Sequence, residues 1–282
     1  MAERSKSKSC DTHPEDEVNN IEDDQIRVQE AISKLRELVS EEKNLDVRMN
    51  DTFMLRYLRW SGFDAKKAFE KMVKVYKFKA KYEKHYCNVS PLAYKDLLSQ
   101  NFSNMLEDRD QYGRRVIFIN MGALDIESTT FEDCMGILDA WMELAMEEEE
   151  SQKNGVVIFV DMAGFPMRLF RFFTPRLTVI CALKEEMRPW IDFEVHIVNT
   201  SRLLDTLVSI VFPFLSDRFR RRINFHGQDW ESLHKSITPE ILPQEYGGRK
   251  SEINYPKLQQ YLYDNEKNVH ELCLLGYKKP EK

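Results

Sequence analysis

The chain has 282 residues, and 42% of them are hydrophobic, which is enough for one sizeable domain with its own core and a smaller domain beside it. The net charge of −6 and the isoelectric point near 5.7 argue against general nucleic-acid binding, which needs a basic surface. The cysteines are odd in number and form no CxxC pair, so they indicate a reducing compartment rather than a disulfide framework and suggest no metal site. They are Cys10, Cys87, Cys134, Cys181 and Cys273.

The N-terminal part of the chain divides into a polar leader and a helical region. Residues 1–24 are rich in Ser, Lys, Asp and Glu and lack the apolar segment of a secretory signal, so they predict a disordered leader on a cytosolic chain. Residues 25–95 show helical periodicity and predict a small domain of three helices. These helices are expected from Gln25, over 53–60 behind an N-cap at Asp51-Thr52, and over 65–84 behind an N-cap at Asp64.

From residue 96 onward, predicted strands alternate with predicted helices. Apolar, β-branched runs predict four strands, at 114–119, 156–161, 193–199 and 222–225. Helical periodicity lies between them, at 130–150, from Thr174 and from Arg202. This order predicts an α/β domain over 96–250, with a mostly parallel sheet and crossover helices, followed by a C-terminal tail at 251–282. The acidic run 147–150 opposes the dipole of the helix that it ends, and we expect it to be solvated.

The most apolar stretch of the domain is residues 200–215. Read as a helix, it is apolar around most of its circumference, with a narrow polar strip at Arg202, Asp205 and Ser209. Two interpretations fit this pattern: a buried core helix, or a mobile lid over an apolar cavity. Because Asp205 and Pro213 interrupt the stretch and it is too short to span a bilayer, any membrane contact is expected to be peripheral.

A run of arginines follows this stretch directly, at 218–222. If the run is helical, Arg218, Arg221 and Arg222 share one face and form a compact cationic patch. An apolar helix beside a cationic patch suits an anionic bilayer surface, which favours the lid interpretation.

The residues that could carry catalysis are few. Asp161 ends an apolar strand as a magnesium-binding aspartate would, but the chain has no phosphate-binding glycine loop, so we expect Asp161 to cap or turn the strand end. His196 beside Glu194 could form an acid/base pair, although a single histidine among apolar neighbours is usually a hydrogen-bonded core group. Neither GxSxG nor HExxH occurs. We therefore predict that the protein is not an enzyme and has no cofactor, and keep a hydrolase using His196 as a third option.

Several segments together resemble one known family. They are FMLRYLRWSGFD at 53–64, residues 110–116, GVVIFVDMAG at 155–164, VHIVN at 195–199, residues 213–215 leading to His226-Gly227, and LPQEYGG at 242–248. In this order they resemble the CRAL-TRIO lipid-binding proteins, in the branch of the tocopherol transfer and cellular retinaldehyde-binding proteins. The resemblance covers residues 45–250.

This resemblance implies an α/β domain whose cavity holds one hydrophobic molecule under a mobile gate helix, here residues 202–211. Leu138 and Met142 replace serines of the tocopherol case, which implies a drier cavity. Any predicted wall residue could equally belong to a packed core. By matched position the wall would comprise Ile117, Ile119, Met135, Leu138, Met142, Val156, Ile158, Val160, Phe173, Ile180, Leu183, Leu203, Leu207 and Ile210.

The resemblance also implies a cationic cleft that engages phosphoinositide head groups. Arg218 and Arg222 match two of its basic positions, and Arg220 and Arg221 add charge beside them. Three other basic positions are occupied here by Ser61, Ile191 and Phe193.

The sequence thus leads to two hypotheses of different classes. The first is a cytosolic carrier of a tocopherol, retinoid or other isoprenoid, which exchanges its ligand at an anionic membrane surface and binds no nucleic acid. The alternative is a phosphoinositide-binding regulatory or scaffold module without cargo.

Overall fold

The helical N-terminal unit has the three helices predicted for it. The computed structural model of the chain describes residues 14–165, 168 and 174–278, with the backbone alone at 14–23, 202–204 and 207. The three helices are α1 (Pro14–Glu41), α2 (Asp51–Trp60) and α3 (Ala65–Lys81). Since α1 begins at Pro14, residues 14–24 are helical and do not belong to the disordered leader that we expected. Ile32, Leu58 and Met72, one from each helix, are fully buried in their shared core.

The N-caps of these helices follow from local sequence. The Asp64 side chain accepts a hydrogen bond from the Lys67 N–H at 3.0 Å and caps α3, as predicted. The N-cap of α2 is Asn50, whose side chain accepts from the Phe53 N–H at 2.9 Å, and not Asp51-Thr52. Asp51 lies in the first turn instead, where its charge suits the helix dipole.

A five-stranded sheet forms the centre of the α/β region. The four predicted strands are present, as β3 (Arg115–Asn120), β4 (Val156–Asp161), β5 (Phe193–Val198) and β6 (Ile223–Gly227), and they pair in parallel in that order. The sequence did not reveal β2 (Ser103–Arg109), which pairs antiparallel with β3 at the sheet edge. Its register shifts between Met105 and Arg109, so the alternation that marks a strand is broken. The mixed α/β fold with a mostly parallel sheet is confirmed.

Helices cover both faces of this sheet. Residues 95–154 contribute α4 (Lys95–Ser99), α5 (Phe131–Met146) and α6 (Glu149–Asn154). The later crossovers contribute α7 (Pro175–Glu186), α8 (Arg202–Val211) and α9 (Asp217–Arg220), and α10 (Trp230–His234) follows the last strand of the sheet. The apolar core beneath α5 includes Ile117, Trp141 and Val156, whereas Phe118, Phe159 and Tyr246 lie in the core on the opposite sheet face.

Residues 251–282, which we expected to be a tail, are folded where the structure describes them. They form α11 (Tyr255–Asp264), α12 (Glu266–Leu274) and the short strand β7 (Gly276–Tyr277), which pairs antiparallel with β1 (Leu45–Asp46). In α12, Leu272 belongs to the core of the N-terminal helices, while Cys273 belongs to the core beneath α5. The C-terminal segment therefore joins the helical unit to the α/β region.

The first half of the acidic run after α5 is half-buried and ion-paired, which corrects our expectation of a solvated run for Glu147 and Glu148, whereas Glu149 and Glu150 are exposed. Glu147 accepts from Arg48 at 3.0 Å and also from Arg56, and Glu149 accepts from Arg59 at 3.1 Å. These arginines come from the helical unit, almost a hundred residues earlier in the chain. The run therefore attaches that unit to the end of α5.

Candidate functional site

An apolar cavity of about 300 Å³ lies between the sheet, α5, α7 and α8. The sheet contributes one row of side chains that runs straight across four strands, because Ile119 pairs with Val160, Val160 with Ile197, and Ile197 with Phe225. Residues in register on adjacent strands point to the same face, so the row forms a continuous apolar floor.

Helices and loops close the cavity over this floor. The first turns of α5 provide Phe131, Met135 and Leu138, and α8 provides Val208 and Val211. The remaining described wall residues come from loops, α5, α7, α9 and β6. They are Phe102, Met121, Leu124, Cys134, Met162, Thr178, Cys181, Ala182, Glu185, Phe212, Leu215, Phe219 and Ile223.

Few of the described groups at the wall are polar. The Thr178 hydroxyl donates to the Thr174 carbonyl at 3.0 Å, and the Glu185 carboxylate accepts from Arg188 Nε at 2.8 Å. Burial raises the pKa of the Cys134 and Cys181 thiols to about 12, so both stay protonated. Such a wall offers dispersion and desolvation to a ligand and few directional contacts.

The predicted wall residues fall into three groups. Ile119, Met135, Leu138 and Val160 line the cavity. Phe173 lies outside the described residues, as do the side chains of Leu203 and Leu207. The others were predicted to line the cavity and are not among its wall residues: Ile117, Met142, Val156, Ile158 and Ile180 are buried, Leu183 is half-buried and Ile210 is exposed.

Ile210 lies on the solvent side of α8, whereas the misplaced residues of the strands and of α5 have the right face and the wrong depth. Ile117 and Ile158 each precede a floor residue by two positions, so they point the same way but lie nearer the start of the strand, in packed core. Met142 lies one helical turn beyond Leu138 on α5 and is 1% exposed. Periodicity identifies the buried face of an element, but it does not indicate where along the element packing gives way to a cavity.

Helix α8 has the bounds that the sequence predicted for the gate, Arg202–Val211. Val208 and Val211 face the cavity, while Ile210 is 44% exposed and Phe214, just past the helix, is 54% exposed. The helix thus separates the cavity from solvent and carries apolar side chains on both sides. Among the described residues, no helix is long and apolar enough to cross a membrane.

The arginine run does not form the helical face that we predicted. Because α9 ends at Arg220, Arg221 and Arg222 lie beyond its single turn. Arg220 is paired with Asp217, and Arg222 donates to Asp192 at 3.0 Å and to the Phe193 carbonyl at 2.6 Å. Arg218 and Arg221 are exposed.

A small pocket next to α9 brings Arg218 and Arg222 together. Its volume is about 20 Å³, roughly one water molecule, and Trp190 and Trp60 form part of its wall. The Trp190 indole N–H is buried and has no hydrogen-bond partner among the residues that the structure describes. Of the positions that depart from the basic pattern, Ser61 has a buried hydroxyl with no partner in the described part of the chain, Ile191 is 47% exposed, and Phe193 packs on Phe219.

Asp161 has the structural role that we predicted. Its carboxylate accepts from the Tyr246 hydroxyl and from the Asn199 side chain, both at 2.8 Å, and from the Ala163 N–H at 2.8 Å. These bonds fix the end of β4 and the turn that follows it.

His196 lies on the sheet face opposite the cavity. Its Nε2 is 3.2 Å from the Glu194 carboxylate, and its Nδ1 is 2.8 Å from Nε2 of His226, whose Nδ1 lies 2.9 Å from the Ser232 hydroxyl. Burial lowers the pKa of both histidines, that of His226 to about 4. The neighbouring Ile197 points into the cavity, so His196 points away from it.

The fold and this geometry define an α/β protein with an apolar ligand cavity covered by a short helix. The family model described as the CRAL/TRIO domain matches residues 99–248. The chain belongs to the CRAL/TRIO domain family.

Similar proteins agree with this assignment. The chain is 29% identical over 245 residues to the human alpha-tocopherol transfer protein-like protein, covering 86% of this chain and 72% of that protein. It is 29% identical over 222 residues to clavesin-1 of Xenopus laevis, covering 77% of this chain and 67% of clavesin-1. The crystal structure of Sfh5 superposes with a TM-score of 0.54 at 12% identity, covering 87% of this chain and 98% of that one, which supports the fold alone.

Proposed function

We propose that the protein is a carrier that binds one small hydrophobic molecule of the tocopherol, retinoid or other isoprenoid kind. The observation that carries the proposal is the apolar cavity of about 300 Å³ above the floor of Ile119, Val160, Ile197 and Phe225. Each methylene buried there contributes about 0.8 kcal/mol, so affinity comes from area and shape. Similarity to an alpha-tocopherol transfer protein-like chain supports the same ligand class.

Ligand exchange in this proposal takes place at an anionic membrane surface. The exposed Ile210 and Phe214 on and beside α8 would enter the interfacial layer, while Arg218 and Arg221 would lie at the level of the lipid head groups. Displacement of α8 would then open the cavity toward lipid. Catalysis at His196 is no part of the proposal, because that side chain points away from the cavity.

Retention of cargo is the primary test. We expect native mass spectrometry and lipid extraction of protein purified from its own cells to find one apolar molecule per chain. Leu138→Trp, which fills the cavity, should reduce that occupancy, and Leu92→Trp at an exposed site should not. Protein that retains no apolar molecule, or equal occupancy in both variants, would contradict the carrier proposal.

Membrane exchange has its own matched pair of variants. Ile210 and Leu92 are both 44% exposed, so aspartate at either position costs little folding free energy. Ile210→Asp should slow transfer to anionic vesicles, and Leu92→Asp should not. Arg218→Glu should slow transfer and leave ligand binding in solution unchanged. Arg249→Glu also reverses the charge of an exposed arginine, and it should not slow transfer. Equal transfer rates within each pair would contradict the membrane step.

The second candidate is a phosphoinositide-binding module without cargo. It is favoured by the pocket that joins Arg218, Arg222 and the Trp190 indole, which has no partner among the described residues, since all three side chains carry N–H donors suited to a phosphate. That pocket would have to widen from about 20 Å³ to admit a phosphate. Such a module binds phosphoinositide vesicles yet yields no apolar molecule on extraction, which distinguishes it from the carrier.

A further inference from the structure

The turn between α2 and α3 exposes an aromatic side chain in a strained position. Phe63 is 42% exposed, and its φ of +60° lies in the left-handed region that favours glycine. Its N–H donates to the Leu58 carbonyl at 2.8 Å, which fixes this backbone conformation at the end of α2. Phenylalanine is costly in such a turn and gains little there from burial, so the stability of the fold does not explain it.

A second apolar side chain is exposed across the seam between the helical unit and the α/β region. Ile191 is 47% exposed and follows Trp190 directly. Trp190 and Trp60 both form part of the wall of the small pocket beside α9, and Trp60 precedes Phe63 by three residues. Because this pocket holds only about 20 Å³, its walls are close together, and Phe63 and Ile191 therefore flank one seam.

Cations lie along the same seam. The Lys71 ammonium lies 4.1 Å from the centre of the Trp60 ring and donates to the Trp60 carbonyl at 2.5 Å. Arg218 forms part of the same pocket wall as Trp60. Burial lowers the pKa of Lys71, and the nearby charge of Arg218 lowers it further, as expected for two neighbouring cations. Among the described residues, neither cation has a carboxylate partner.

The acidic residues at the seam are engaged by other groups. Three of them are ion-paired at 2.8–3.1 Å, and Glu186 accepts from the Ser216 hydroxyl instead. The pairs are Asp64 with Lys67, Asp192 with Arg222, and Glu185 with Arg188. Lys71 and Arg218 therefore leave the seam with a positive surplus, although the chain as a whole has a net charge of −6. Local positive charge of this kind attracts an anionic surface.

The seam continues the surface that α8 presents to solvent. Phe214, which is 54% exposed, precedes Arg218 by four residues, and Ile210 precedes Phe214 by four. The exposed apolar residues of α8 and those of the seam are therefore joined through Arg218. These apolar side chains are separate rather than contiguous, which suits a bilayer interface better than a protein partner with a packed apolar core.

We propose that this seam is a membrane-docking surface, by which the helical unit itself contacts an anionic bilayer. Phe63 and Ile191 enter the interfacial layer, and Lys71 and Arg218 lie at the level of the head groups. This role rests on the membrane step of the proposed function and extends the contact from α8 to the other unit. Contact at two places fixes the tilt of the protein on the bilayer and so holds α8 against the lipid.

The test uses the full-length chain and its sedimentation with vesicles of phosphatidylcholine and phosphatidylserine. Phe63→Asn should weaken binding about fivefold, because it removes an aromatic side chain from the interfacial layer. Ile191→Asn should weaken it to a similar degree. Asparagine tolerates a positive φ better than phenylalanine, so the free energy of unfolding of Phe63→Asn in urea should not fall. A side chain with a packing role alone would give the opposite result, lost stability with unchanged binding.

Matched control variants lie at the opposite edge of the sheet. Tyr261 is 43% exposed on α11, which packs beside the edge strand β2, whereas α9 leads into the other edge strand, β6. Tyr261→Asn should leave vesicle binding unchanged. Lys71→Gln should weaken binding about fivefold at low salt, and only when the vesicles contain phosphatidylserine. Lys257→Gln, which removes an exposed lysine of α11, should have no such effect.

The outcomes separate this docking surface from the proposed function. If the wild type binds the vesicles and Ile210→Asp weakens binding, but Phe63→Asn and Ile191→Asn do not, the docking role of the helical unit is overturned and the carrier proposal stands. If the wild type does not bind anionic vesicles, the membrane step of the carrier fails, and the docking surface fails with it. A dimer of the free protein that Phe63→Asn dissociates would assign the seam to a second copy of the chain, and that result would also overturn the proposal.

Discussion

Replacing Asp139 with asparagine should destabilise the protein by about 3 kcal/mol. The Asp139 carboxylate is buried on α5, where it accepts from Lys184 at 2.7 Å and also from Arg188, both on the α7 side of the cavity. Asparagine keeps the shape of the side chain and removes its charge, so two buried cations lose the anion between them.

The magnitude follows from the partners that remain. Breaking a buried ion pair by removing one partner costs about 3–5 kcal/mol. Here Arg188 keeps Glu185 at 2.8 Å, and Lys184 keeps the His85 carbonyl at 2.6 Å. The loss should therefore fall near the lower end of that range.

The effect should also depend on pH with a definite sign. Burial raises the pKa of Asp139, but the charges of Lys184 and Arg188 outweigh it and hold the pKa below its ordinary value. The stability that this carboxylate contributes is present above the ordinary aspartate pKa and is lost as the pH falls through the lowered one. The difference between wild type and Asp139→Asn should therefore shrink in acid.

Urea unfolding at pH 7, followed by tryptophan fluorescence, measures the cost. Glu240→Gln is the matched control, because it also neutralises a carboxylate, one that pairs with Arg249 at 2.6 Å where the two side chains are 52% and 74% exposed. That change should cost less than about 1 kcal/mol. If the two variants lose the same unfolding free energy, the buried cluster is not the stabilising element that we infer.

Three further predictions concern single positions. Burial lowers the pKa of His226 to about 4, so below pH 6.5 the unfolded chain binds more protons than the folded one. The free energy of unfolding should therefore fall between pH 6.5 and pH 4, and it should fall less steeply in His226→Gln. Urea titrations that give both proteins the same pH slope would contradict this. Gly155→Ala should lower the thermal unfolding midpoint far more than Gly62→Ala. Both glycines have positive φ, but only at Gly155 would an added Cβ meet a carbonyl oxygen, that of Asp192, at 2.1 Å. Similar losses in the two variants would refute the clash. Thr130→Ala, which removes the capping box of α5, should cost about 1 kcal/mol in urea unfolding, and an unchanged midpoint would exclude that role.

Local patterns in the sequence predicted most of the fold. The run 156–161 is apolar at every position but the last, so it indicated a strand buried on both faces, and β4 is that strand. Composition marked the apolar stretch 200–215 as a helix, and the family resemblance supplied the bounds 202–211 that α8 has. The strand inference required no knowledge of the rest of the chain.

What the sequence could not predict depends on distant partners. From the sequence Glu147 is expected to be solvated, but the fold brings Arg48 and Arg56 to it and leaves its side chain only 21% exposed. The wall residues Val208 and Val211 lie in a stretch that is apolar nearly all round, so periodicity alone could not separate its cavity side from the side that carries Ile210. Three-residue spacing within α8 was the one signal that could have identified them.

The pairing of β7 with β1 ties the order of synthesis to the order of folding. Leu45 and Asp46 receive their partners only when residues 276–277 have been made, and Leu272 fills the first helical core equally late. During synthesis, α1, α2 and α3 therefore lack part of their core and leave the edge of β1 unpaired until the C-terminal segment has been made. A chain stopped before α12 would keep that edge exposed and offer it to other chains.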